Sequence, residues 1–165
     1  MKFVFQILVI LTTLIACSRI VLILALESTP QVQVLEVSKE NTNVLYRQKV
    51  MTTIGALMKG LGSVLKKECV LDNRAVAQSA QGIAFMTELA RTAFKPKTEG
   101  ATIKQTTKPE VWSEWDKFQV SLEEMSQAAT GVALSATEKN DRDLKTSIGN
   151  LSRTCKFCHD IFRTK

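Results

Sequence analysis

The chain has 165 residues, of which 45% are hydrophobic and 23% charged, the balance of a folded globular domain rather than a disordered one. Aromatics are only 6%, with 7 glycines and 3 prolines, too few turn residues for a many-stranded sandwich and in favour of helices. The formal net charge of +6 is spread along the sequence, which excludes the basic stripe of a nucleic-acid-binding protein but suits the steering of an acidic redox partner.

Residues 1–26 are apolar almost throughout, with Lys2 near the start and residues 3–16 as an h-region. They are expected to be an N-terminal export signal that sends the chain to the periplasm. Two other fates stay open. Residues 4–26 are long enough to span a bilayer as an anchor, with Arg19 as a flaw, so any membrane attachment would run through this segment alone. Residues 14–17 end at Cys17 in a lipoprotein-like box, although the run stays apolar from 20 to 26. Residues 27–37 are read as a linker and 38–165 as one domain.

Ser38 is placed to cap a first helix, along which Val44, Met51, Ile54, Met58, Leu61 and Leu65 recur at helical spacing. Gly60 and Gly62 weaken its end. Asp72 or Asn73 caps a second helix with Val76, Ala80, Ile83, Met86, Ala90 and Phe94 on its buried stripe. It stops before Lys95-Pro96. A long loop follows to Pro109, which suits the first turn of a third helix. There Trp112, Trp115, Phe118, Leu122, Met125 and Ala129 share a face. After a break at residues 137–140, Asn140 caps the last helix, with Asp143 three positions on as a weak capping-box partner. Leu144, Ile148, Leu151, Cys155, Cys158 and Phe162 then repeat every three or four residues. Four amphipathic helices with one long connection predict an all-α, antiparallel four-helix bundle.

The last helix carries Cys155-Lys156-Phe157-Cys158-His159, a C-x-x-C-H run. This is the attachment pattern of c-type haem. Two thiols three positions apart can form thioethers with the two vinyl groups, and the next residue can offer a ring nitrogen to the iron. His159 is the only histidine, so bis-histidine ligation within the chain is impossible. Both cysteines lie on the apolar stripe, so one covalent haem c would face the bundle interior. A dithiol redox pair is the alternative, and a zinc site drawing on distant Cys69 a poorer one. Cys69 is otherwise a leftover free thiol, and no disulfide framework is implied. No catalytic triad, paired acid-base carboxylates or phosphate loop is present, so the chain is expected not to be an enzyme.

Four stretches resemble the cytochrome c-prime family of class II c-type cytochromes: Tyr46-Arg47-Gln48 with Met51, residues 94–100 (FKPKTEG), residues 109–112 (PEVW), and residues 155–163 around the haem motif. The resemblance covers roughly residues 40–163 and implies a haem held within a four-helix bundle. It also implies roles for single residues. Arg47 would pair with a haem propionate, a solvated surface arginine being the alternative. Arg163 would lie beside the proximal His159. Met51 matches the position whose side chain separates two subgroups. An apolar residue there leaves a five-coordinate, high-spin iron that binds NO or CO, whereas a ligating methionine gives a low-spin carrier. With methionine at 51, the expectation is a low-spin, His159/Met51-ligated one-electron carrier serving redox partner proteins. Five-coordinate binding of NO or CO at an open distal face is the alternative. The resemblance further implies a homodimer through the first two helices.

Overall fold

The computed structural model describes residues 38–69 and 71–165; the expected leader, Cys17 and the linker through residue 37 lie outside them. Its helices are α1 (Lys39–Leu65), α2 (Asn73–Phe94), α3 (Glu110–Ser113), α4 (Trp115–Thr137) and α5 (Asp141–Phe162). Among the described residues, no helix is long and apolar enough to cross a membrane.

Each predicted cap is in place, because a short oxygen-bearing side chain at an N-cap can accept an amide that the helix leaves unpaired. Ser38 Oγ accepts from Asn41 N at 3.2 Å, Asp72 from Ala75 N at 2.7 Å, and Asn140 from Asp143 N at 3.2 Å. Asp143 does not reach back to the backbone as a capping box would. Its carboxylate accepts from the Asn140 side-chain amide at 2.6 Å instead. Gly60 and Gly62 do not end α1, which runs to Leu65. Leu65, expected on the buried stripe, is exposed in the last turn.

The four long helices form the expected bundle. Ala80, Ala90, Ala129 and Ala136 are fully buried. With no side chain beyond Cβ, they let α2 and α4 approach closely, and that pair shares the broadest interface. α4 also packs along α5, and α1 along α2, whereas α1 and α5 meet only narrowly. That narrow seam is where the site lies. At one end of the bundle, Phe118 joins Phe94, Trp115 and Phe162 at centroid distances of 5.1, 5.6 and 5.2 Å, within the range of favourable aromatic pairs.

The predicted third helix is broken. α3 is a single turn, and Glu114 (φ −116°, ψ 44°) separates it from α4. The loop before it is tied on both sides. Asn41 of α1 donates to Thr102 Oγ1 and accepts from Thr102 N, both at 2.9 Å. Gln48 donates to Lys104 O at 2.8 Å. On the other side Thr107 pairs with Arg163 in an isolated antiparallel bridge.

Candidate functional site

Between α1 and α5 lies a cavity of about 820 Å³, a size at which cofactor sites are found. α5 contributes Cys155, Cys158 and His159, because its three-to-four-residue repeat turns all of them toward the seam. α1 contributes Arg47, Met51, Ile54 and Met58 from the facing side, and α4 contributes Leu122 and Met125. Arg163, the residue that ends α5, stands at the rim. Every haem-site candidate named from the sequence therefore borders one space.

Burial sets the protonation of these groups. Both thiols are partly buried, and desolvation opposes their ionisation. Cys155 is raised, and Cys158 is pushed up to about 11 by burial, then by the neighbouring Cys155 and Glu124. Neither shift favours the thiolate that dithiol redox chemistry uses. Cys69 lies in the exposed connection between α1 and α2. Among the described residues, no group of three or more His, Cys, Asp or Glu is placed to hold a metal ion. His159 faces the cavity on one side and solvent on the other. Its pKa is lowered by burial first, then by the Arg163 charge, against the pull of Asp160. At neutral pH the imidazole is thus uncharged, with a free lone pair for a ligand.

Arg47 departs from the solvated-surface alternative. It is not a solvated surface residue, being 2% exposed, and it is already engaged without a carboxylate. Its guanidinium donates to Pro96 O (3.2 Å), Thr98 Oγ1 (2.5 Å) and Gln105 Oε1 (2.9 Å). It also lies 5.4 and 5.2 Å from the ring centroids of Phe94 and Trp112. Burial lowers its pKa. Its Nε is buried without a partner, a donor left over beside the cavity. Trp112 packs here rather than serving only the bundle core, and its Nε1 donates to Phe94 O at 2.8 Å.

The donor set fits a haem. Apolar side chains suit the macrocycle. The cavity lining holds three cations, Arg47, Lys59 and Arg163, and no carboxylate, which suits two propionates. The geometry does not single out Met51. Met58 and Met125, expected as ordinary core, border the same cavity, and Met125 Sδ lies 3.9 Å from Cys155 Sγ. Sequence reasoning missed Lys59 and Ser152, although Ser152 lies one turn before Cys155 and could have been found from helical spacing. It also missed Gln105, Thr106 and Thr107, for which loop sequence carries no periodic signal.

A family model described as Cytochrome C' matches residues 42–163. The chain is 32% identical over 120 residues to a cytochrome c' of Pararhodospirillum photometricum, covering 73% of this chain and 94% of that one. It is 31% identical over 124 residues to a cytochrome c' of Rhodopseudomonas palustris, covering 74% and 82%. Among solved structures, cytochrome c prime from Shewanella frigidimarina superposes with a TM-score of 0.69 at 18% identity, over 78% of this chain and 98% of that one. A nitric oxide complex of a cytochrome c prime variant from Alcaligenes xylosoxidans superposes with a TM-score of 0.68 at 24% identity, over 79% and 99%.

Proposed function

Because this chain belongs to the cytochrome c' family, and so carries one covalently attached haem c, we propose that it binds small gases such as NO or CO at an open haem face. The observation that carries the reading is the cavity between α1 and α5. It has one imidazole on the α5 side and thioether and hydrocarbon side chains on the α1 side. When bound, the haem supplies an iron that can hold a diatomic ligand and exchange one electron.

The chain's own residues divide the remaining work. Cys155 and Cys158 hold the group through thioethers on the α5 side. His159, kept neutral, gives one ring nitrogen to the iron. Arg47 offers its spare Nε to a propionate and keeps its other bonds to the loop. Arg163 places positive charge beside the imidazole and favours its uncharged form. Met51 and Met58 form part of the α1 wall and would face the haem with apolar side chains.

The low-spin His159/Met51 carrier expected from the sequence gives way to this reading. The relatives are cytochromes c', and one solved relative is a nitric oxide complex. A periplasmic location and a homodimer through α1 and α2 belong to the same proposal. Leu45 and Tyr46 on α1 and Phe85 on α2 are exposed apolar side chains that a second copy would cover.

Stopped-flow CO uptake by the ferrous protein and by Met51→Leu tests the reading. Uptake by both without a prior slow step supports it. If CO binds slowly to the natural chain and quickly to Met51→Leu, Met51 is a ligand that has to leave, and electron carriage replaces gas binding.

A further inference from the structure

We infer that Lys108 is a positioning residue for His159: through its ammonium and its amide it ties off the end of α5 and fixes the turn that bears the imidazole. The inference rests on the reading of His159 as the iron ligand.

An α-helix leaves its last four carbonyls without intrahelical partners. In α5 these belong to His159, Asp160, Ile161 and Phe162. The chain closes the first itself, since Arg163 N donates to His159 O at 3.1 Å. The other three go to Lys108. Its Nζ donates to Asp160 O at 3.2 Å and to Ile161 O at 3.0 Å, and its backbone N to Phe162 O at 3.0 Å. A charged donor at the negative end of a helix is both stronger and better placed than a neutral one. None of the ion pairs among the described residues involves Lys108, so its charge is directed at carbonyls rather than at a carboxylate.

Lys108 is itself held in place. Pro109 biases the residue before it toward extended backbone. Thr107 pairs with Arg163, and Thr164 N donates to Thr106 O at 2.8 Å. The far part of the same loop is tied to α1 through Arg47 and Asn41. The turn bearing His159 is thereby referenced to the opposite wall of the cavity through one loop.

Lys108→Met removes the ammonium and keeps the stem and the backbone amide. In the haem-loaded full chain, two readouts apply: the iron–histidine stretching band in resonance Raman of the ferrous state, and amide exchange at Lys108, Arg163 and Thr164. The band is expected to shift or broaden, and those amides to exchange about ten-fold faster. Lys108→Arg should restore both, and Lys104→Met, on an exposed lysine of the same loop, should change neither. An unaltered band with unaltered exchange in Lys108→Met overturns the inference. If that variant does not fold, Lys108→Gln takes its place, and the same two readouts support or overturn the inference in the same way. A chain whose mass shows no haem adduct overturns the site reading instead. In that chain, exchange at the three amides and the ring NMR shifts of His159 decide for or against Lys108.

Discussion

Desolvation at Cys158 governs the chemistry this residue can do unaided. With its pKa pushed up to about 11, almost none of it is thiolate at neutral pH, so the fold alone does not make it a nucleophile. In the haem-free chain at pH 8, an alkylating reagent should label exposed Cys69 at least about ten-fold faster than Cys158. The difference should shrink as pH approaches 11. Equal rates at pH 8 would show that burial does not protect the thiol. The same shift has a stability sign. The folded chain holds the proton more tightly than the unfolded one, so between about pH 9 and 11 the haem-free fold loses stability as pH rises. Arg47→Ala removes a buried cation and strands Thr98, Gln105 and the Pro96 carbonyl. The cost should be about 2 kcal/mol, the scale of buried hydrogen-bonding groups left without a partner, read from chemical denaturation. A change near zero would mean that water replaces the guanidinium freely. The burial of Arg47 was not read from the sequence, although it stands three residues after Val44 and four before Met51 on one helix face. Its partners could not be, because Thr98 and Gln105 come from an aperiodic loop.

The helices owe their ends to specific residues, and two of those ends carry strain. Lys67 (φ 58°) and Lys139 (φ 56°) adopt the left-handed conformation just past α1 and α4, where glycine has no Cβ to clash. Lys139→Gly should therefore stabilise the protein by about 1 kcal/mol in thermal melts, and a lower melting temperature would rule out strain at this position. Phe118 joins three aromatic neighbours and is 2% exposed. Phe118→Ala should cost about 3–5 kcal/mol; a loss below 1 kcal/mol would mean that the cluster collapses around the gap. The three side-chain caps could be read from residue type, and the stripes of the four long helices, Leu65 apart, from spacing. The break at Glu114 could not, because residues 110–137 continue a helical pattern through it. The turn α3 follows a loop whose Thr106, Thr107 and Lys108 are bonded to the end of α5.

The described residues form a bundle whose neighbouring long helices pair closely except at the seam between α1 and α5. Periodicity placed Met51, Cys155 and Cys158 at that seam and the family resemblance added Arg47 and Arg163, but neither carried its openness. Openness depends on how far apart α1 and α5 stand, a matter of tertiary packing that periodicity does not carry. Nor could spacing decide between the distal roles of Met51, since three methionines border the cavity. Whether the iron is left open on the α1 side is read from ferric EPR and absorption spectra of the haem-loaded protein, with CO spectra after reduction. A high-spin ferric signal is expected, with a ferrous spectrum that CO alters at once. A low-spin spectrum with a sulfur-to-iron charge-transfer band, unmoved by CO, would mean that the α1 side is closed by a ligand and that the gas-binding reading is wrong.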